Sequence, residues 1–134
     1  MFNLQHFDHV GLRVTDLDAA QSFYAQLGFR ADPQEESPRS RARGLVNDAG
    51  LRIHLIYNGT PHEHGNVLMD APVKWPGYTH AAFIVDDLDA MVDWLARENI
   101  PISEGPSVFG HGRRKVLFIR DPDRNVLEFN QILA

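Results

Sequence analysis

Apolar and polar residues alternate in the same way at two places in the chain: Val10, Leu12 and Val14 in the first, Ala81, Phe83 and Val85 in the second. That period of two predicts strands with one buried face. After each strand the apolar spacing becomes helical. Leu17, Ala20, Phe23, Tyr24 and Leu27 form one stripe, with Thr15 or Asp16 as the cap before it and Gly28 at the position after the last turn. Leu88, Met91 and Leu95 form the other behind Asp86 or Asp87, and Asn99 followed by Pro101 ends it. Three further strands are predicted after each helix, over 29–33, 41–47 and 51–57 and over 102–108, 115–120 and 126–131.

These two patterns are copies of one unit. FDHVGLRVTDLDAA at 7–20 lies over YTHAAFIVDDLDAM at 78–91 without a gap, at an offset of 71 residues. In that register His9 meets His80, Val14 meets Val85, and Asp16, Leu17, Asp18 and Ala19 meet Asp87, Leu88, Asp89 and Ala90. The expected fold is therefore α+β: one domain of two βαβββ modules, about 1–58 and 77–134. Residues 59–76, rich in Gly, Pro, His and Asp without periodicity, are expected to be a linker and active-site loop.

Strand alternation then sorts the polar residues. His9 shares a face with Gly11 and Arg13, and His80 with Ala82 and Ile84, in each case opposite the residues that cover the helix. On 51–57 the apolar face holds Leu51, Ile53, Leu55 and Tyr57, leaving His54 with Arg52 and Ile56. On 126–131, Leu127 and Phe129 leave Glu128 opposite, 74 residues after His54 and at the corresponding place. A lone strand histidine is usually a hydrogen-bonded structural residue, and a glutamate near a chain end is usually solvated. Four donors at equivalent points of a repeat are a different matter, and they predict one divalent ion in a cup formed by the two curved sheets. His9, His80 and Glu128 are the expected ligands, with His54 as a fourth or as an imidazole facing substrate. The chain has no cysteine, so the ion must use N and O donors, which suits Zn, Ni, Co, Mn or Fe(II). Its identity stays open.

The remaining histidines carry less. His62 and His64, with Glu63 between them, sit in the linker and are expected to be solvated, as is His6. His111 lies between Gly110 and Gly112 in a predicted loop, where a mobile acid–base group is the rival to an ordinary loop residue.

Composition narrows the classes further. With 134 residues, 43% hydrophobic and 23% charged, the chain has material for one core, and no apolar run reaches the ~20 residues that span a bilayer. A net charge of −5, with Arg113, Arg114 and Lys115 as its one basic run, disfavours nucleic acid. The opening residues lack the marks of an export signal. A soluble cytoplasmic protein acting on a small molecule, away from membranes, is the expectation.

The motifs resemble a known family. FDHVGLRVTDLDAAQSFYAQLGF is similar to the opening strand and helix of the vicinal oxygen chelate superfamily, GYTHAAFIVDDLDA to its second opening, and FIRDPDRNVLEF to its closing hairpin. That superfamily includes glyoxalase I, extradiol dioxygenases and bleomycin-resistance proteins. Two positions depart from the pattern: Arg124 replaces the usual turn glycine, and His54 stands where glyoxalase I carries Glu or Gln. The resemblance implies metal ligands at His9, His54, His80 and Glu128, and a homodimer. It also implies a glyoxalase-like lyase or isomerase that abstracts a proton next to a carbonyl, with Glu128 as base and His54 as second proton carrier. Two alternatives follow from the same family. One is an Fe(II) extradiol dioxygenase, in which His111 would be the acid–base group, although Phe118 stands where a Tyr is expected. The other is a metal-free antibiotic-binding protein.

Overall fold

The computed structural model describes residues 1–133 and runs through the expected element order twice. The first pass is β1 (Val10–Arg13), α1 (Leu17–Gln26), β2 (Arg30–Ser37), β3 (Ala42–Val46) and β4 (Arg52–Ile56). The second is β5 (His80–Ile84), α2 (Leu88–Arg97), β6 (Ile102–Phe109), β7 (Arg114–Arg120) and β8 (Val126–Ile132). The strands make two four-stranded sheets, ordered β1-β4-β3-β2 and β5-β8-β7-β6. In each sheet the opening strand pairs parallel to the last one, and the other neighbours are antiparallel. This is the α+β architecture of two βαβββ modules. The chain divides into two compact units, Met1–Pro61 and from His62 onward.

Both helices start and stop as their sequences dictate. The Asp16 carboxylate accepts from the Ala19 amide at 3.1 Å, and Asp87 does the same for Ala90 at 3.0 Å, which satisfies an amide the first turn leaves unpaired. The chain leaves the helices through a left-handed residue, Gly28 at φ +96° in one and Asn99 at φ +56° in the other. These two residues lie 71 apart, so glycine and asparagine serve as alternative solutions to one backbone requirement. Val14, Tyr24, Leu45, Ile53 and Leu55 are sealed from solvent in the first unit, and Leu88, Leu95, Leu117, Ile119 and Leu127 in the second.

One strand is longer than its sequence suggests. β2 was expected to stop at Pro33 but continues to Ser37. It lies at the edge of its sheet, and its pairing with β3 shifts between Ala31 and Glu36. An edge strand with an irregularity there tolerates a residue that has no N–H to donate. The extra residues carry Glu35 and Glu36 along the sheet, with consequences for the site.

The segment expected to be a linker loop belongs to the second unit from His62 on, and that part is fastened to the unit's closing turn. Asn66 accepts from the amides of Leu68 and Met69 and donates to the Arg124 carbonyl at 3.0 Å. Arg120 grips the two oxygens of Asp70 at 2.9 and 3.0 Å, Arg124 adds a longer contact of 3.4 Å, and Ala71 is buried. No helix among the described residues is long and apolar enough to cross a membrane.

Asp70 gives this anchor a pH dependence. Its carboxyl is held below the usual carboxylate range, chiefly by the hydrogen bond from Arg120 and then by the charges of Arg120 and Arg124, against an opposing effect of burial. A carboxyl with a depressed folded-state pKa stabilises above its unfolded value near 3.9 and loses that contribution as pH falls through the folded value. Wild type is therefore expected to exceed Asp70→Asn by about 1–2 kcal/mol at neutral pH. In urea titrations the gap should narrow below about pH 4. A gap that persisted unchanged at pH 2.5 would refute the electrostatic origin.

Candidate metal centre

In the first module the parallel pairing of β1 with β4 sets Gly11 beside His54. A side chain is absent at the strand position next to the imidazole, and His9, two residues earlier on the same face, reaches it. Their rings stack with centroids 3.6 Å apart and planes 15° from parallel. His9 Nδ1 lies 2.7 Å from Asp8 Oδ2, and that bond lowers the Asp8 carboxyl below its ordinary value. His54 is better buried, and its Nε2 has no hydrogen-bond partner and no contact with solvent. Burial first, and the neighbouring His9 second, push the His54 pKa down. Both effects favour the neutral imidazole, the form that can ligate an ion.

Glu35 is a neighbour that the sequence pattern does not reveal, because it lies on the part of β2 beyond Pro33. Gly44 pairs opposite His54 on β3, and a Cβ there would fall 2.4 Å from Glu35 Cβ. The bare glycine lets Glu35 lie over the strand, with Oε2 3.9 Å from His54 Nε2 and Oε1 3.8 Å from Arg52 Nη1. In the second module the residue opposite the donor on the third strand of the sheet is Phe118 instead.

The second module repeats the first with a carboxylate. Pairing of β5 with β8 puts Ala82 beside Glu128, again a small residue next to the donor. His80 Nε2 lies 3.2 Å from Glu128 Oε1, and the Phe118 ring presents its edge to His80 at 5.9 Å. His80 Nδ1 is 2.8 Å from Thr79 Oγ1. Thr79 is the repeat counterpart of Asp8. So each strand-opening imidazole has its Nδ1 engaged by the side chain just before it, which fixes the ring and leaves Nε2 for another partner. The remaining Glu128 oxygen, Oε2, accepts from Asn130 Nδ2 at 2.5 Å.

The four predicted donors thus occur as two pairs, His9 with His54 and His80 with Glu128, at equivalent places in the two units. Among the described residues no three His, Asp or Glu side chains are gathered closely enough to hold an ion. The donor chemistry fits a divalent metal in other respects. It offers imidazoles with oriented Nδ1 atoms, one carboxylate, and at His54 a buried nitrogen left without a partner, a costly state unless something ligates it.

The other histidines are elsewhere. His62 Nδ1 accepts from the His64 amide at 3.1 Å, and His64 Nε2 is 3.5 Å from Glu63, a local loop arrangement. His111 sits at φ +57° in the turn between β6 and β7. Arg114, at the start of β7, is four residues from the partner of Glu128, roughly 13 Å at strand rise. Within its own module His111 is set apart from the donor pair. Of the basic run, Arg113 is tied to the Gly110 carbonyl at 2.9 Å and Lys115 to Asp89.

Duplicated βαβββ modules, each with a histidine at the start of its sheet and a polar residue across the parallel ladder, are the pattern of fold and site on which the comparisons bear. Residues 6–129 match the Glyoxalase/Bleomycin resistance protein/Dioxygenase superfamily, and the chain belongs to it. It is 28% identical over 131 residues to a probable lactoylglutathione lyase of Vibrio cholerae, covering 92% of this chain and 88% of that protein. Among solved structures, a glyoxalase/dioxygenase from Nostoc punctiforme superposes with a TM-score of 0.76 at 20% identity, over 98% of this chain and 94% of the other. The antibiotic-binding protein TnmS3 from Streptomyces sp. CB03234 does so with a TM-score of 0.72 at 20% identity, over 99% and 100%. At those identities the two structures establish a common fold.

Proposed function

We propose that the protein is a divalent-metal-dependent lyase or isomerase of the glyoxalase type, acting on a small substrate with adjacent oxygens by proton abstraction next to a carbonyl. His9, His54, His80 and Glu128 are its proposed ligands, and a homodimer its working assembly. The observation that carries this reading is the register equivalence of the two pairs: each unit offers an oriented imidazole and a second donor at the same point of its ladder. The similarity to a probable lactoylglutathione lyase points the same way.

A divalent ion at these ligands would supply Lewis-acid stabilisation of the negative charge that develops on the substrate oxygens. The chain's own residues do the rest. Glu128, with Oε2 engaged by Asn130, would be held only loosely at the ion through Oε1, and that oxygen is the one that takes the proton from the carbon next to the carbonyl. His54, kept neutral by its burial, would hold the ion or, facing the substrate instead, carry a proton at the second oxygen. Asp8 and Thr79 keep the His9 and His80 rings from turning. Phe118 brings no hydroxyl to the position beside Glu128, and this disfavours ring-cleaving dioxygenation, where the family pattern expects a Tyr.

The test is metal quantification after purification without added metal, together with assays of hemithioacetal isomerisation and of oxygen-dependent catechol cleavage. Stoichiometric metal with isomerisation is expected. Oxygen consumption with a catechol would overturn the reaction, and a metal-free protein that binds a hydrophobic drug would overturn the enzyme reading altogether.

A further inference from the structure

We infer that Asn130 is a positioning residue for Glu128, holding the carboxylate by one oxygen so that the other alone faces the ion. The inference rests on the proposed metal centre and adds a residue to it. Asn130 is 3% exposed, and it lies two residues beyond Glu128 on the same face of β8. Its Nδ2 donates to Glu128 Oε2 at 2.5 Å, while Glu128 Oε1 lies 3.2 Å from His80 Nε2. The two oxygens therefore have separate tasks.

The first module supplies an internal control. Asn130 pairs with Ile84 on β5, as Ile56 pairs with Arg13 on β1, so Ile56 is the counterpart of Asn130. An apolar residue stands two positions beyond His54, and a buried amide two positions beyond Glu128. A neutral imidazole needs no donor on that side, whereas a half-buried carboxylate does. Burying an amide is costly unless it is hydrogen-bonded, so the sheet carries this group where the donor is charged and omits it where the donor is neutral. The strand itself is pinned, since the Val85 amide donates to the Asn130 carbonyl at 2.8 Å. An amide is also a neutral donor. It orients the carboxylate without cancelling the charge the ion requires, as an Arg or Lys in its place would.

Cobalt(II) tests this, because its visible absorption reports both occupancy and coordination geometry. Wild type, Asn130→Leu and Asn130→Ala are titrated with Co²⁺ alone, and the thermal unfolding of each metal-free protein is recorded in parallel. Leucine keeps the branched outline of the amide without its donor, and alanine removes the donor without adding bulk. Both variants are expected to bind Co²⁺ roughly 10- to 100-fold more weakly than wild type, with an altered visible spectrum, while each metal-free variant still unfolds cooperatively, at a temperature lowered by the loss of the carboxylate's partner. Unchanged Co²⁺ affinity and spectrum in the variants, whatever their stability, would make Asn130 a purely structural residue and overturn the inference alone. Failure of wild type itself to bind Co²⁺ would overturn the proposed metal centre, and the inference with it.

Discussion

Glu128→Ala and His80→Ala are each expected to abolish stoichiometric metal retention while leaving the fold in place. Neither side chain is among the fully buried apolar residues of the second module, Leu88, Leu95, Leu117, Ile119 and Leu127. His80 is more than one-third exposed and Glu128 about one-fifth. Truncating His80 should cost under about 1 kcal/mol of stability. Truncating Glu128 leaves the Asn130 amide buried without its partner, a penalty of about 1–3 kcal/mol. That is tolerable for a domain stabilised by about 5–15 kcal/mol. The loss in metal affinity should be far larger, since removing a ligand goes beyond the roughly 10- to 100-fold effect of disturbing the groups behind one. Elemental analysis of proteins purified in parallel, with circular dichroism as the control for folding, makes the comparison. His111→Ala belongs in the same series and should retain the metal, because His111 stands at a hairpin tip away from the donor pair in its module. Stoichiometric metal in both of the first two variants would sink the ligand assignment.

The strand faces that His80 and Glu128 take were legible before any coordinates, and the reason is alternation read together with the duplication. Alternation along a strand says which face a residue takes, and the offset of 71 between His9 and His80 says that two such faces correspond. The structure adds the ladder partners, Gly11 beside His54 and Ala82 beside Glu128. What the sequence conceals are interactions that depend on irregular pairing or on immediate neighbours. Glu35 reaches His54 only because β2 passes Pro33 through a shifted register, and a propensity argument ends the strand there. Asp8 and Thr79 differ in residue type, so a search for identities passes over them, although both put an oxygen on Nδ1 of the following histidine. Asn130 was visible as a polar residue on a strand, but its burial and its bond to Glu128 come from the packing of β7 and β5 on either side. The left-handed backbone at Arg124, φ +65°, retains the turn for which glycine is usual. Its carbonyl is held by Asn66 and Arg120, and its side chain reaches Asp70.

That turn is the basis of the second large effect, expected for Asp121→Ala. Asp121 is 4% exposed, and its Oδ1 accepts from the amides of Asp123 at 2.9 Å and Asn125 at 2.8 Å while Oδ2 accepts from Asn125 Nδ2 at 2.9 Å. Alanine leaves three donors without that acceptor in a half-buried turn, at a cost of about 2–4 kcal/mol. The same turn sets the register that places Arg120 opposite Val126 and Phe118 opposite Glu128. A slip of one residue there would carry Glu128 to the helix-covered face, so metal retention should fall along with stability. Asp121→Asn keeps one oxygen for the two backbone amides and gives up the contact with Asn125 Nδ2, so it should cost about 1 kcal/mol and keep the metal. Urea unfolding at neutral pH gives the ranking. An Asp121→Ala protein within about 0.5 kcal/mol of wild type would mean that β7 and β8 hold their register without the turn, and that Glu128 owes its place to the sheet alone.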